Sequence, residues 1–249
     1  MNLAGQVALI TGASRNPGLG FAIAQTLGGQ GASLMLTGGR NEAVLRANVE
    51  ELKGQGMNVA GMTADLTDFT QVQSLVEQTV QAFERIDILV HCAGGRGAAP
   101  IVDMTPALWQ SIVRVNLDGA FYLTKAVAPH MMRAKYGRII FMAGISGQTG
   151  DANRAHVVAS KGGIMSFVKG AASELGPHGI TVNAVSPGII DTPRSDGSGI
   201  ARRMGRVEQA PLRRLGSGAD IANTCAFLVS DQAGFITGQT ISVNGGSYM

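Results

Sequence analysis

A glycine-rich turn near the start of the chain constrains the fold more than any other feature. The apolar run VALI begins at Val7, the turn TGASRNPGLG follows with Gly12, Gly18 and Gly20, and the helical pattern FAIAQTL comes next. Glycine has no Cβ, so the backbone can bend sharply and approach a bound group closely. The start of the following helix offers unpaired N–H groups to an anion. This arrangement predicts a βα unit that binds the diphosphate of a dinucleotide.

Short apolar runs alternate with helical patterns along the chain, which is typical of βαβ units and a parallel sheet. Most of the runs are apolar at every position, as expected for strands that helices cover on both faces. The candidate strands are 7–10, 33–37, 59–63, 86–91, 138–143, 180–186 and 240–244, and the candidate helices are about 19–30, 42–55, 69–84, 107–133, 155–176 and 219–230. We therefore predict an α/β fold, a Rossmann-type, doubly wound, seven-stranded parallel sheet with helices on both faces, in one domain over 1–249.

The composition argues against several classes of partner. The chain has 249 residues, of which 45% are apolar, and a small net charge of +3, so it can bury one large core. Its cluster of arginines at 194–214 lacks the interleaved aromatic residues of a nucleic-acid platform. No apolar run approaches the ~20 residues that span a bilayer, and the strand at Val7 leaves no room for a signal peptide. We expect a cytoplasmic protein with a small-molecule substrate, no nucleic-acid or membrane partner, and no metal site.

The end of the second strand bears on which dinucleotide is bound. It reads LTGGR, so Arg40 follows two glycines and no acidic residue is present to accept hydrogen bonds from the adenosine ribose. Arg15 lies in the glycine turn, and arginine pairs bidentately with phosphate. We expect NADP(H) as the cofactor, with NAD less favoured. The Pro- and Gly-rich stretch at about 188–218 breaks the alternation of strands and helices and is expected to cover the substrate.

Further motifs are TADLTD with Asp65, HCAG with Cys92, VNLDG with Asn116, ASKGG with Lys161, and VNAVSPGIIDT, which ends at Thr192. Together with the glycine turn, they resemble the short-chain dehydrogenase/reductase family nearly from end to end. The resemblance implies a homotetramer that packs the helices at 107–133 and 155–176 against symmetry mates. The residues expected around the cofactor are Gly12, Ser14, Arg15, Gly18, Leu19, Gly20, Arg40, Asp65, Leu66, Cys92, Ala93, Gly94, Lys161, Pro187, Gly188, Ile190 and Thr192.

The resemblance also implies a catalytic set that this chain keeps only in part. In the family, a tyrosine exchanges a proton with the substrate carbonyl oxygen, and a serine hydrogen-bonds that oxygen. A lysine four residues after the tyrosine holds the ribose and lowers the phenol pKa, and an asparagine anchors a water relay. The chain keeps the lysine as Lys161 and the asparagine as Asn116. Val157 stands where the tyrosine is expected, and Gly144 stands where the serine is expected.

Three substitutes for the missing groups can be considered. His156 titrates near neutrality, but on a helix it points ~140° away from Lys161, against ~40° for position 157. Ser146 lies two residues after Gly144 and could face the same side if the backbone stays extended. The third possibility is a tyrosine that reaches in from elsewhere in the chain; the candidates are Tyr122, Tyr136 and Tyr248.

The substitution pattern leaves three functions open. The first is an NADP(H)-dependent oxidoreductase that reduces a carbonyl group or oxidises an alcohol, similar to the 3-oxoacyl reductases, with a non-standard proton donor. The second is an enoyl- or dienoyl-thioester reductase, because AHVVASKGG and the longer glycine turn resemble that branch of the family; the carboxylate nearest to the site in sequence is then Asp151. The third is a protein on the same scaffold that does not reduce its ligand, such as a cofactor-binding sensor, a partner subunit, a lyase or an isomerase.

Overall fold

The computed structural model describes residues 1–39, 41–192, 205, 207, 208 and 210–249. Seven strands form one sheet in the order β3-β2-β1-β4-β5-β6-β7, and every neighbouring pair is parallel. The strands are β1 (Val7–Thr11), β2 (Ser33–Gly38), β3 (Val59–Thr63), β4 (Ile88–His91), β5 (Gly137–Met142), β6 (Ile180–Pro187) and β7 (Thr240–Val243). The chain order reverses between β1 and β4, which is where doubly wound sheets bind their ligands. The predicted fold class is confirmed.

Helices cover both faces of the sheet. They are α1 (Leu19–Gly29), α2 (Glu42–Gly54), α3 (Phe69–Phe83), α4 (Pro106–Val113), α5 (Gly119–Ala134), α6 (Ser146–Thr149), α7 (Ala155–Leu175) and α8 (Gly218–Val229). In β1, Ala8 and Ile10 pack beneath α1, α2 and α8, whereas Leu9 packs beneath α3, α5 and α7. Two apolar layers therefore bury the strands from both sides. Within the described ranges, no helix is long and apolar enough to cross a membrane.

The predicted strands and helices match the observed ones closely, with two differences. The helix expected at 107–133 is present, but it contains a π-helical segment, Arg114–Asp118, which divides it into α4 and α5. In this segment the buried side chain of Asn116 bonds to Gly95. This tertiary contact accompanies the π-helical turn, which the regular spacing of apolar residues in the sequence does not predict. The short helix α6 was also not predicted. Four residues are too few to produce a helical pattern in the sequence.

The loop expected at 188–218 lies only partly within the described residues. At one end of it, Asp191 N donates to Gly216 O at 2.7 Å, and Gly216 N donates to Ile189 O at 3.0 Å. These bonds bring the chain that leaves β6 next to the chain that enters α8. Residues 193–204, 206 and 209 lie outside the described part of the chain, so the substrate-covering role stays a prediction.

Candidate active site

The glycine turn packs tightly against the chain that leaves β4. Gly12 has a φ of +71°, and a Cβ built on it would lie 2.6 Å from Ala93 N and 2.8 Å from the carbonyl carbon of Cys92. A Cβ on Gly20 would lie 2.6 Å from Gly12 O. No other residue fits at these positions without moving backbone. The turn therefore presents bare backbone at the carboxyl ends of β1 and β4, where α1 begins at Leu19 with no side-chain cap.

Thr11 joins the same two strand ends through its hydroxyl. Its Oγ1 accepts hydrogen bonds from Cys92 N and Ala93 N, both at 3.2 Å, and lies 2.8 Å from His91 Nδ1. Burial lowers the pKa of His91 to about 3, so the ring is neutral. The Thr11 hydroxyl and His91 Nδ1 share one hydrogen bond, whose direction depends on which ring nitrogen carries the proton. Sequence reasoning missed His91; a polar residue that ends an apolar strand was the signal that could have found it.

The adenosine side of the predicted cofactor site lies at the ends of β2 and β3. A Cβ on Gly38 would collide with the side chain of Ser14, so the glycine turn lies directly on the end of β2. Asn48 on α2 donates to Ala13 O at 2.7 Å and holds the turn in place. Arg15 lies in the turn with its side chain against Gly18. Arg40 lies outside the described part of the chain, so its predicted phosphate contact stays a prediction.

Asp65 and Leu66 follow β3, next to β2. Asp65 is exposed and accepts hydrogen bonds from Thr67 N at 2.9 Å and Thr67 Oγ1 at 2.8 Å. Leu66 is buried beneath α5, and Ala64 N donates to Gly38 O at 3.1 Å. The structure therefore brings this predicted pair to the same edge of the sheet as the glycine turn.

Lys161 lies beneath the chain that follows β4. Its Nζ donates to Met142 O at 2.6 Å and would lie 3.5 Å from a Cβ on Gly94. Burial lowers the pKa of Lys161 to about 8, and the positive charge of Arg96 adds to the shift. The thiol of Cys92 is uncharged, because burial raises its pKa to about 12. A cation is thus held at the junction of β4, β5 and α7.

Asn116 fixes the chain after β4 in place. Its side chain is fully buried, and Oδ1 accepts from Gly95 N at 2.8 Å. Its Nδ2 donates to Ser160 Oγ at 2.9 Å and to Gly95 O at 3.3 Å. Both amide hydrogens are therefore used inside the protein, and the side chain ties the π-helical segment to α7. The water relay expected at Asn116 stays a prediction.

Replacing Asn116 with alanine is expected to destabilise the protein by about 2–3 kcal/mol, because it removes the hydrogen bonds that the buried side chain makes with Gly95 N, Gly95 O and Ser160 Oγ. For a chain of this length, the melting temperature should fall by roughly 5–10 °C in thermal denaturation. The matched control is Asn58→Ala, because Asn58 makes a comparable bond to Ser33 but is exposed. Equal melting temperatures for the two variants would contradict this account.

Ser146 lies beside the place where the family serine is expected. A Cβ built on Gly144 has one neighbour within 4 Å among the described residues, Ser146 Oγ at 3.9 Å. The backbone between these residues is not extended, because Ile145 is helical and Ser146 begins α6. A Cβ on Gly147 would lie 3.0 Å from Lys161 Cβ, so this turn rests on α7. The helical turn, not an extended chain, brings the Ser146 hydroxyl beside position 144.

The side chain of His156 packs against Gly97. Its ring is fully buried, and its Nε2 would lie 2.9 Å from a Cβ on Gly97. Within the described ranges neither ring nitrogen has a hydrogen-bond partner, and burial lowers the pKa of His156. Val157 is also buried. The structure therefore places His156 under the loop after β4, where its predicted catalytic role stays a prediction.

The structure does not bring Tyr122 or Tyr136 to Lys161. Tyr136 precedes β5 at the opposite edge of the sheet, where its hydroxyl lies 3.3 Å from Asp231 Oδ1. Tyr122 packs against Phe69 with ring centroids 5.5 Å apart. The remaining candidates are Tyr248, which lies beyond β7 and is 42% exposed, and Asp151, which pairs with Arg154 at 3.1 Å.

The end of β6 completes the candidate site. Gly188 N donates to Val243 O at 3.0 Å, and a Cβ on Gly188 would lie 2.7 Å from Asn244 Cα. Pro187 O accepts from Ile145 N at 3.2 Å. Ile190 is buried, and Thr192 is the last residue of the described range 41–192. These residues share the carboxyl edge of the sheet with the glycine turn and Lys161.

Comparisons with known proteins agree with this geometry. A family model described as enoyl-(acyl carrier protein) reductase matches residues 12–248. The chain is 40% identical over 249 residues to the 3-oxoacyl-[acyl-carrier-protein] reductase FabG of Escherichia coli (strain K12), covering 100% of both. It is 38% identical over 242 residues to FabG of Staphylococcus aureus (strain Mu50 / ATCC 700699), covering 97% of this chain and 98% of that protein.

A solved structure of a short-chain alcohol dehydrogenase from Sinorhizobium meliloti 1021 has the same fold. Its TM-score is 0.93 at 32% sequence identity, and the match covers 99% of this chain and 97% of that one. The relatives are oxidoreductases by name, so the prediction of an oxidoreductase is confirmed. From the carboxyl-edge geometry and these similarities, we conclude that the chain belongs to the short-chain dehydrogenase/reductase family.

Proposed function

We propose that the protein is an NADP(H)-dependent reductase that acts on the keto group of a 3-oxoacyl thioester or a similar carbonyl compound. One observation carries the proposal: Gly12 leaves bare backbone against Ala93, and Lys161 lies beside Gly94 at the same edge of the sheet. The 40% identity over the full length to a 3-oxoacyl-[acyl-carrier-protein] reductase supports 3-oxoacyl thioesters as the substrate class.

The residues present fit a dinucleotide. Gly12, Gly94 and Gly188 pack so closely against neighbouring protein atoms that a Cβ would collide with them, so backbone without side chains lies along the strand ends. The turn from Gly12 to Gly20 would hold the diphosphate, Asp65 and Leu66 would flank the adenine, and Lys161 would hold the ribose next to the nicotinamide. A reduced nicotinamide supplies a hydride when it is bound. The protein contributes binding, orientation and a proton.

NADPH is expected to bind at least 10-fold more tightly than NADH in isothermal titration calorimetry. No carboxylate ends β2 to favour an unphosphorylated ribose, and Arg15 lies where the glycine turn meets Gly38 through Ser14. A charge-assisted hydrogen bond to a phosphate contributes about 1.5–3 kcal/mol. Replacing Arg15 with alanine should therefore weaken NADPH binding roughly 10- to 100-fold and leave NADH affinity nearly unchanged.

The matched control for Arg15 is Arg46→Ala. Arg46 lies on the exposed face of α2 and pairs with Glu42 at 2.7 Å, so its removal should change neither affinity. Tighter binding of NADH by the natural chain would contradict the predicted choice of cofactor. A uniform loss of both affinities in the Arg15 variant would show that Arg15 shapes the turn without contacting the phosphate.

The carbonyl oxygen needs a hydrogen-bond donor, and Ser146 can provide it. Its hydroxyl lies 3.9 Å from the Cβ position of Gly144, where the family serine is expected. A donor that points at an oxygen gaining negative charge stabilises the transition state. Ser146 would therefore orient the carbonyl from α6.

The decisive experiment follows NADPH absorbance with three probes: acetoacetyl-coenzyme A, crotonyl-coenzyme A and ethyl acetoacetate. Turnover of the keto compounds supports the proposal. Turnover of crotonyl-coenzyme A alone would favour the enoyl reductase reading, to which the description of the matching family model and the longer glycine turn with Asn16 and Pro17 point. Tight NADPH binding without any turnover would favour the non-reducing reading.

We also retain the proposals of a homotetramer and of a cytoplasmic location. The homotetramer is supported by exposed aromatic side chains on the first of the two helical stretches that the family resemblance places between subunits. On α4, Trp109 is 41% exposed, and on α5, Phe121 is 47% exposed. Aromatic residues are enriched in protein–protein interfaces, so these two side chains are suitable contacts for a second copy.

A further inference from the structure

The short helix α6 carries Ser146, and hydrogen bonds from a neighbouring side chain hold this helix in place. We propose that Gln148 is a positioning residue for the proposed carbonyl site: its side-chain amide fastens α6 to β6 and β7 and so fixes the Ser146 hydroxyl beside position 144. This role rests on the proposed function, because it concerns the donor to the same substrate oxygen. Gln148 acts through Ser146 and does not itself contact the substrate.

The helix α6 is too short to keep its shape alone. It has four residues, and no side chain caps it at Ile145. An isolated helix of fewer than about 12 residues is marginal in water, because its first turn orders several residues for a single hydrogen bond. The shape and the position of α6 therefore depend on contacts with the rest of the protein.

The side-chain amide of Gln148 spans two neighbouring strands. Ser186 Oγ on β6 donates to Gln148 Oε1 at 2.8 Å, and Gln148 Nε2 donates to Ser242 Oγ on β7 at 3.3 Å. Ser186 and Ser242 are aligned partners in the parallel pair that these strands form. Their side chains therefore lie on the same face of the sheet. One amide connects α6 to both strands at once.

Burial makes the bond to Ser186 the stronger of the two attachments. Ser186 is fully buried, whereas Ser242 is exposed. A buried hydroxyl that loses its partner costs free energy, whereas an exposed hydroxyl bonds to water instead. Gln148 is the acceptor that the structure gives to the Ser186 hydroxyl. We therefore expect the pair of Gln148 and Ser186 to hold the α6 turn.

The same turn is also attached through its backbone. Ile145 N donates to Pro187 O at 3.2 Å, one residue after Ser186. Gln148 N donates to Ile145 O at 2.9 Å, so Gln148 closes the turn that contains Ser146. The strand β6 thus holds α6 twice, by a backbone bond just before the helix and by the Gln148 side chain. Ser146 lies between the two attachments.

A donor at position 144 needs no such attachment. Gly144 is flanked by backbone bonds to β6 from Ala143 N, at 2.8 Å, and from Ile145 N, at 3.2 Å. A side chain at position 144 is therefore fixed by the sheet, whereas Ser146 is placed by the helical turn that follows. Only a donor on α6 should depend on Gln148.

The first test compares two variants in the reduction of acetoacetyl-coenzyme A. Gln148→Met keeps the length of the side chain and removes both hydrogen bonds, so kcat should fall at least about 10-fold, as for a group displaced by ~1 Å. KM and NADPH affinity should change less than about 3-fold, because the lost interaction belongs to the transition state. Gln148→Glu keeps an oxygen that accepts from Ser186 and should retain at least about half of kcat.

Gln239→Ala is the matched control for the loss of a glutamine side chain. Gln239 is exposed just before β7, and its Nε2 donates to Thr237 O at 3.1 Å. This variant should leave kcat unchanged. A fall in kcat equal to that of Gln148→Met would show that any weakening of this edge of the sheet lowers activity, and it would overturn the specific role of Gln148.

The second test asks whether Gln148 acts through Ser146. The change Gln148→Met is added to Ser146→Ala and to the double variant Ser146→Ala, Gly144→Ser. In both backgrounds the hydroxyl on α6 is gone, so the added change should lower kcat less than about 3-fold. A loss as large as in the natural chain would overturn the inference, because a general structural role lowers kcat in every background.

The third test measures α6 without turnover. Hydrogen exchange of the segment 144–150, read by mass spectrometry, reports on the amides of Gln148 and Gly150, which are both bonded within the turn. In Gln148→Met these amides should exchange at least ~10-fold faster, because the turn opens locally more often. Unchanged exchange would overturn the inference, since α6 would then be held without the side-chain amide.

The outcomes separate the two proposals. If the natural chain reduces none of the probes, the proposed function fails, and the role of Gln148 in it fails as well. If the natural chain reduces acetoacetyl-coenzyme A but Ser146→Ala or Gln148→Met loses less than about 10-fold in kcat, the reductase stands and Gln148 is not its positioning residue.

Discussion

Replacing Gly12 with alanine is expected to weaken NADPH binding at least 100-fold. The added Cβ would lie 2.6 Å from Ala93 N and 2.8 Å from the carbonyl carbon of Cys92, and both are backbone atoms. The only relief is to separate the glycine turn from the chain after β4, which opens the predicted diphosphate site. The φ of +71° adds strain of about 1–2 kcal/mol. Calorimetric titration with NADPH, on material whose fold is checked by circular dichroism, measures the loss.

Gly5→Ala provides the matched control. Gly5 has a φ of +79°, so alanine is strained to a similar degree, but its Cβ would meet nothing within 4 Å. This variant should lose stability and keep its NADPH affinity. If both variants bind NADPH as the natural chain does, the contact between the glycine turn and the chain after β4 is not part of the cofactor site.

Replacing Ser146 with alanine is expected to lower kcat/KM for acetoacetyl-coenzyme A reduction by roughly 100-fold or more, because it removes the hydroxyl next to the substrate oxygen. A second change should restore the activity. The Cβ position of Gly144 is open apart from Ser146 Oγ at 3.9 Å, so Gly144→Ser can place a hydroxyl there. In the double variant Ser146→Ala, Gly144→Ser, kcat/KM should recover at least 10-fold.

Ser173→Ala is the control for the loss of a serine hydroxyl. Ser173 lies on α7 and bonds to Lys169 O at 3.0 Å in an exposed position, so kcat/KM should not change. Full activity in Ser146→Ala would remove Ser146 from the mechanism. Loss without recovery in the double variant would show that the α6 turn acts through its packing on Lys161.

The fold could be predicted because periodicity and burial agree along most of the chain. The runs at β1 and β2 are apolar at successive positions and are covered on both faces, as their sequence indicates. Asn116 shows where this reasoning ends. Its side chain bonds to Gly95, far away in sequence, and this tertiary contact coincides with a π-helical segment that no local pattern reveals.

The candidate site could be predicted only in part, for a related reason. Glycines in the turn have a local signature, and the motifs at Asp65 and Lys161 are recognisable in sequence. The position of Ser146 depends on α6, a helix of four residues whose placement comes from packing on α7. The neutral state of His91 and the pKa of Lys161 near 8 depend on burial. Distances and burial of this kind require the folded structure.

The π-helical segment at Arg114–Asp118 has a consequence for which insertions and deletions the chain can tolerate. Each residue of an α-helix advances the following side chains by about 100°, and a π-helical turn accommodates one residue more than an α-helical turn. Along this stretch α4 contacts α7, and α5 contacts α3, β5 and α7. Deleting one residue there would let the chain continue as regular α-helix with Leu123 and Val127 still in the apolar layer, but it would remove the wide turn in which Asn116 bonds to Gly95, so the length of this stretch matters to the candidate site more than to the core.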